Sequence, residues 1–212
     1  MIKEIFPIRI YESKIDDSSY EQIKPPLYNY IENNTHLFKI VKTWLGNTAT
    51  DFPKTNFYSE SLKNEVYKHS YRYLEGLDPN IFELEIVSLW INVNGKGTFQ
   101  EDHHHIGRNA QISGTIYIET CDLGGDFEII NPNILENYIE SNKNYLDRFK
   151  ITVKPYNKKI IMFPSYLMHR VTPNQTDKQR VSISFNLGIK DPTKYELYSG
   201  GSPKNYGYYK KN

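Results

Sequence analysis

The sequence has one cysteine, Cys121, in 212 residues. An intrachain disulfide is therefore impossible, and a reducing compartment is the default. No run of 18 apolar residues is present, so a transmembrane α-helix is not expected. The opening Met-Ile-Lys-Glu-Ile-Phe-Pro lacks the apolar stretch of a secretory signal. Net charge is nearly absent: Lys and Arg total 26 against 25 Asp and Glu, leaving +1. Composition thus gives no support for a phosphate-backbone or anionic-membrane surface. Repeats and low-complexity tracts are also missing. Together these absences predict a soluble cytoplasmic protein, one domain over residues 1–212, long enough to bury a sizeable core. What is plentiful is aromatic: 18 Tyr and 10 Phe, residues that pack well on a pleated β surface.

Along the chain, Ile5 to Tyr11 alternates loosely and predicts a first edge strand, consistent with Pro7. Ser18 or Ser19 is a candidate N-cap for a helix that Pro25-Pro26 would interrupt, with a second helical stretch from Leu27 to Asn33. His36 to Leu45 fits strand and helix equally. Gly46 to Asn56 reads as a loop. Ser59 or Ser61 would cap a helix running to about Leu74, with Gly76 as its stop. Residues 15–78 are thus expected to be a mostly helical support.

Near residue 82 the hydrophobic period changes to two. Phe82 to Val93 reads as a strand buried on both faces, Asn94 to Gly97 as a turn, and Thr98 to His105 as the next strand. Gln111 to Glu119 places Ser113, Thr115 and Tyr117 on one side. Short strands are expected at 126–130, 151–153, 160–163 and 168–172, with an insertion at 133–149. From Arg180 to Asn186, Arg180, Ser182, Ser184 and Asn186 share one face and Val181, Ile183 and Phe185 the other. A Tyr-rich tail follows at 191–212. A helical first third and then about eight short strands predict a mainly β jelly roll with flanking helices, its core at 82–190 and its interior wide enough for a small ligand.

The stretch Gln100 to His105 holds three of the six histidines. If it is extended, His103 and His105 leave the same face, as do Asp102 and His104. Imidazole donors suit Fe, Zn, Cu or Ni rather than Mg or Ca. A distant third donor would be His169, at the end of an apolar segment. The plainer alternative is an exposed polar loop. Eleven residues after His169 comes Arg180-Val181-Ser182. A guanidinium matches a carboxylate with two parallel bonds, and Ser182 and Tyr117 could add more. The plainer alternative there is a solvated face with Arg180 paired to Asp177.

The combined order resembles a known family. Trp90-Ile91-Asn92, Gln100 to His105, Ser113-Gly114 with Tyr117, Phe163 to His169, and Arg180-Val181-Ser182 resemble the 2-oxoglutarate- and Fe(II)-dependent oxygenases. The closest likeness is to a small group with a His-x-His motif found in microbes and their viruses. The resemblance covers roughly residues 84–187. It implies a double-stranded β-helix (jelly roll, cupin-like) with iron held by His103, His105 and His169. It also implies Arg180 on the distal carboxylate of 2-oxoglutarate, Ser182 and Tyr117 assisting, and Asn92 facing the pocket. The implied reaction consumes 2-oxoglutarate and O2, releases succinate and CO2, and hydroxylates a substrate that the sequence does not identify. His105 stands where the wider superfamily usually has Asp or Glu, which leaves the site one negative charge short. Two other readings remain at this stage. One is a three-histidine cupin-like dioxygenase that uses no 2-oxoglutarate; the other is a non-catalytic jelly-roll binding or virion module.

Overall fold

Both helices precede the change of period near residue 82, but so do three short strands that join the sheets, so the expected 15–78 support is only partly helical. The structure, a computed structural model, describes residues 7–43, 46–75, 83–107, 109–133 and 149–190. The expected helix stop at Gly76, the strand start at Phe82, most of the 133–149 insertion and the 191–212 tail lie outside these residues. Among the described residues no helix is long and apolar enough to cross a membrane.

Two helices precede the main strands: α1 at Asp17–Asn33 and α2 at Glu60–Tyr73. Ser59 caps α2, its hydroxyl accepting the Leu62 N–H at 3.3 Å, which satisfies one otherwise orphaned donor. The prolines do not break α1, contrary to expectation: Pro25 and Pro26 lie inside one continuous helix. An interior proline costs about 3 kcal/mol. Burying Tyr20, Ile23 and Leu27 to 4%, 0% and 0% exposure returns roughly 1.5–3 kcal/mol per side chain. Packing therefore overrides the local penalty, and the Tyr20 hydroxyl adds a bond to the Ile118 carbonyl at 2.8 Å.

The strands are β1 (Tyr11–Lys14), β2 (Val41–Thr43), β3 (Gly46–Thr48), β4 (Leu84–Asn94), β5 (Phe99–His103) and β6 (Ile112–Glu119), followed by β7 (Phe127–Ile130), β8 (Lys150–Val153), β9 (Lys159–Pro164), β10 (His169–Val171) and β11 (Arg180–Ile189). They form a five-stranded sheet, β1-β9-β6-β11-β4, and a six-stranded sheet, β2-β3-β5-β10-β7-β8. This is the expected two-sheet jelly roll. The first edge strand comes later than expected, at Tyr11–Lys14 on β9. Part of the expected loop at 46–56 is instead β3, where Gly46 pairs with Gln100. A glycine is needed there, because φ is +108° and a Cβ would lie 2.8 Å from the Phe99 carbonyl. The ambiguous 36–45 segment begins inside a 3₁₀ turn, Thr35–Leu37, and then contains β2.

Strand alternation divides the five-stranded sheet into two unlike faces. Ile91, Val93, Ile116, Ile160, Met162, Ile183 and Phe185 pack with Ile23, Leu27, Leu62 and Val66 of the helices. Alternate positions on β4, β6 and β11 are polar and line the inside of the roll. Gly114 permits close strand packing here: a Cβ would sit 2.5 Å from the Phe185 ring.

Beneath α2, His69 is fully buried. Its Nδ1 accepts from the Tyr11 hydroxyl at 2.7 Å and its Nε2 faces Glu65 Oε2 at 3.2 Å. Burial pushes its pKa below 6.5, against the pull of Glu65. The folded state thus resists a proton that the unfolded chain accepts. Stability from this group is complete above pH 6.5 and declines as pH falls toward the folded value, by up to about 1.4 kcal/mol per pH unit. Thermal melts from pH 7 to pH 5 should show a falling midpoint, and His69→Gln should flatten that slope.

Candidate active site

Two neighbouring strands bring the histidines together. His103 ends β5, His169 opens β10, and the two are register partners. Their ring centroids are 4.3 Å apart, and the His105 ring lies 5.2 Å from His103 and 5.0 Å from His169. One ring nitrogen from each of the three lies within 4.8 Å of the others. His105 is beyond the end of β5, not within it as expected. A backbone bond from its N–H to the Ser165 carbonyl, 2.9 Å, holds it in place, and Trp90 packs beside its ring at 5.5 Å.

The ring nitrogens have distinct roles. His103 Nδ1 lies 2.7 Å from the Glu101 carbonyl and His169 Nδ1 2.8 Å from the Leu167 carbonyl. A carbonyl only accepts, so each Nδ1 carries the hydrogen and each Nε2 keeps its lone pair. Burial pushes all three pKa values down, that of His105 to about 4 and that of His169 well below 6.5. The rings are therefore neutral near pH 7, the form that binds a metal. Asp102 and His104 face away. Both are exposed; Asp102 approaches Arg170 at 3.5 Å, and His104 Nδ1 accepts the Ile106 N–H at 3.3 Å.

Across the cavity from the histidines stands Arg180, only 3% exposed. Its Nη1 donates to the Gly124 and Gly125 carbonyls, each at 3.1 Å. Its Nε has no partner, and among the described residues no carboxylate pairs with it. Asp177 instead binds Lys96 at 3.0 Å, so the pairing with Arg180 considered above does not occur. Gly125 has φ +98°, and a Cβ there would lie 2.7 Å from Arg180 Nη1; a side chain would displace the guanidinium.

Ser182 pairs in register with Asn92 on one side and Tyr117 on the other. The three form one polar row across β4, β11 and β6, each 5% exposed or less. Asn92 donates to the Ser184 hydroxyl at 3.1 Å while its Oδ1 has no partner. Burial pushes the Tyr117 hydroxyl up to about 12, so it remains a donor. These residues and the three histidines line one cavity that is partly open to solvent.

Sequence reasoning placed Trp90 and Gln100 in motifs and Thr115 and Ser184 on polar strand faces, but gave no site role to any of them or to Asn94. The first four line the cavity. Asn94 is fully buried, is the register partner of Arg180, and has no bond on either amide atom. It was assigned to a turn, although the Trp90–Asn92–Asn94 alternation was there to extend the polar face.

The donor set fits a divalent transition ion. Three neutral nitrogens converge, and nearby a buried cation has unused hydrogen-bonding capacity, matching a metal-bound small molecule with a distant carboxylate. The family model described as "Putative 2OG-Fe(II) oxygenase" matches residues 88–186, a span that contains all three histidines and Arg180. Over that span, slightly less than half of the chain, the sequence resembles the 2OG-Fe(II) oxygenases. No curated protein matches its sequence. Among solved structures, the chain is similar to a prolyl-4-hydroxylase from Pseudomonas putida, with 11% identity, 87% of this chain and 94% of that one covered, and TM-score 0.58. It is also similar to a prolyl hydroxylase from Trichoplax adhaerens solved with a hypoxia inducible factor peptide fragment, with 12% identity, coverage of 89% and 86%, and TM-score 0.59. HygX from Streptomyces hygroscopicus, solved with nickel and 2-oxoglutarate, gives 11% identity, coverage of 86% and 83%, and TM-score 0.57. At such identities the likeness is one of fold, the double-stranded β-helix.

Proposed function

We propose that the protein is a 2-oxoglutarate-dependent oxygenase that holds Fe(II) with His103, His105 and His169, and binds 2-oxoglutarate with Arg180, Ser182, Tyr117 and Asn92, to hydroxylate a substrate taken at the open end of the cavity. The observation that carries this reading is the pairing of two features in one cavity: three neutral imidazoles within 4.8 Å, and a buried arginine with no carboxylate partner among the described residues.

Iron, 2-oxoglutarate and O2 together supply oxidative decarboxylation to succinate and CO2 coupled to C–H hydroxylation. The chain's own part is positioning. The Glu101 and Leu167 carbonyls fix the tautomers of His103 and His169, so that both present Nε2. Arg180 offers a fixed positive fork to the far carboxylate, and the Gly124–Gly125 carbonyls hold that fork in place. Ser182, Asn92 and Tyr117 add uncharged polar groups along the same wall. Phe127 and Phe163 lie against His169, with ring centroids at 5.4 and 4.8 Å, and exclude water from that side. Three neutral ligands leave the ion's two positive charges uncompensated, which favours a dianionic cosubstrate over a neutral one.

The three-histidine cupin-like reading has no use for Arg180, and burying an unpaired guanidinium without a ligand to receive is costly. The test is an anaerobic titration of the apoprotein with Fe(II) and then 2-oxoglutarate, followed by visible absorbance. A charge-transfer band that requires both additions is the expected result. Iron uptake without a band would favour the cupin-like reading, and no uptake at all would overturn the proposed metal site.

A further inference from the structure

The strand pair that carries His103 and His169 is irregular next to them. From His169 to Val171 β10 advances two residues, while the partner position on β5 moves three, from His103 to Gln100. The extra residue is a β-bulge, which interrupts the hydrogen-bonded ladder and bends the strand. β10 is itself only three residues long. Backbone pairing alone therefore constrains the two imidazoles weakly.

The opposite face of the same sheet carries a charged cluster. Arg170 follows His169 directly, and its side chain leaves the other face of β10. Its Nε donates to Glu128 Oε2 on β7 at 2.6 Å, and its Nη1 approaches Asp102 Oδ1 on β5 at 3.5 Å. Asp102 lies within the bulge, directly before His103. Glu128 is 4% exposed and also binds Lys150 of β8. An exposed pair such as Arg170–Asp102 contributes little alone. The Glu128 arm differs, because its acceptor is buried and held from two sides. A planar guanidinium can hold both arms at one separation, whereas an ammonium is a single point charge.

We propose that Arg170 is a positioning residue of the metal centre. By tying β10 to Glu128 on one flank and Asp102 on the other, it sets the spacing of the His103 and His169 rings across the bulge and so tunes metal affinity. This rests on the reading of the three histidines as the metal ligands.

The test measures Co(II) binding to the full chain by anaerobic calorimetry and by the visible spectrum of the bound ion. Arg170→Met is expected to weaken Co(II) binding by about 10-fold or more and to alter the spectrum, as loss of groups supporting metal ligands does. Arg170→Lys should restore part of the loss. Lys150→Met is the control: it removes the other cation from Glu128, on a strand that carries no histidine. It should lower the thermal midpoint while leaving Co(II) affinity and spectrum unchanged. Asp102→Asn, at an exposed position, should weaken binding about threefold and keeps the proposal testable if Arg170→Met does not fold. Wild-type affinity in Arg170→Met and Asp102→Asn, or an equal loss in Lys150→Met, would overturn the proposal. Failure of the ligand reading would look different: wild-type protein that takes up no Co(II), or a His169→Ala variant that binds it as tightly as wild type.

Discussion

Replacing His169 with alanine is expected to abolish stoichiometric Fe(II) binding. His169 is the one candidate ligand outside the 103–105 run, and it lies between the other two donors and the phenylalanine wall. His103 and His105 stand near each other with ring centroids at 5.2 Å, but two imidazoles do not enclose an ion from a third direction. The loss should exceed by a wide margin the roughly 10- to 100-fold effect of removing a hydrogen bond that supports a ligand. Anaerobic titration with metal analysis of the desalted protein measures it, and retained one-to-one iron would sink the assignment. His169 is 3% exposed, so the alanine variant leaves a cavity. His169→Gln, closer in volume, should lose iron while melting nearer to wild type. His104→Ala should bind iron as wild type does, because that ring is exposed and its Nδ1 is taken by the Ile106 N–H.

How much of this was legible in the sequence depended on the range of the forces involved. In the polar row, Ser182 and Tyr117 follow from strict alternation on two strands, since a strand with one greasy face must place its polar residues together on the other; Asn92 came only from the family resemblance, because its strand read as buried on both faces. The capped start of α2 was readable for a similar reason: Ser59 and the residues just after it suffice to make the cap. The continuity of α1 was not readable. Locally Pro25-Pro26 argues for a break, and only the tertiary burial of Ile23 and Leu27 outweighs it. The strand at Gly46–Thr48 was hidden too. Three residues carry little periodicity, and the strand exists because Gln100 and Phe99 offer it a ladder. His105 does gather with His103 and His169, but the reasoning from strand alternation was incomplete. It reaches the site after the strand has ended, through its bond to Ser165, sixty residues later in the chain. Arg170 looked like an ordinary charge beside a histidine. Its partners Glu128 and Asp102 come from separate strands, and only the fold brings them within reach.

The second large effect belongs to Arg180. Arg180→Ala should weaken 2-oxoglutarate binding by about 100-fold or more, since truncating one member of a buried charge pair costs roughly 2–5 kcal/mol and each 1.4 kcal/mol is a factor of ten. Arg180→Lys should recover only part of this. The lysine ammonium keeps the charge but cannot place two parallel donors on a carboxylate, and it would also have to replace the bonds to Gly124 and Gly125. That structural contribution makes a control necessary, because loss of the glycine anchor could loosen the 124–125 turn without involving any ligand. The two effects separate in the anaerobic titration. A variant that only loosened the turn would lose thermal stability and still show the charge-transfer band at the wild-type 2-oxoglutarate concentration. A variant that lost the carboxylate partner would take up Fe(II) as before, through histidines that Arg180 does not touch, yet would need far more 2-oxoglutarate to develop the band. Undiminished 2-oxoglutarate affinity in both variants would remove the argument for a cosubstrate with a distant carboxylate. The metal centre would then be that of a three-histidine oxygenase of another kind.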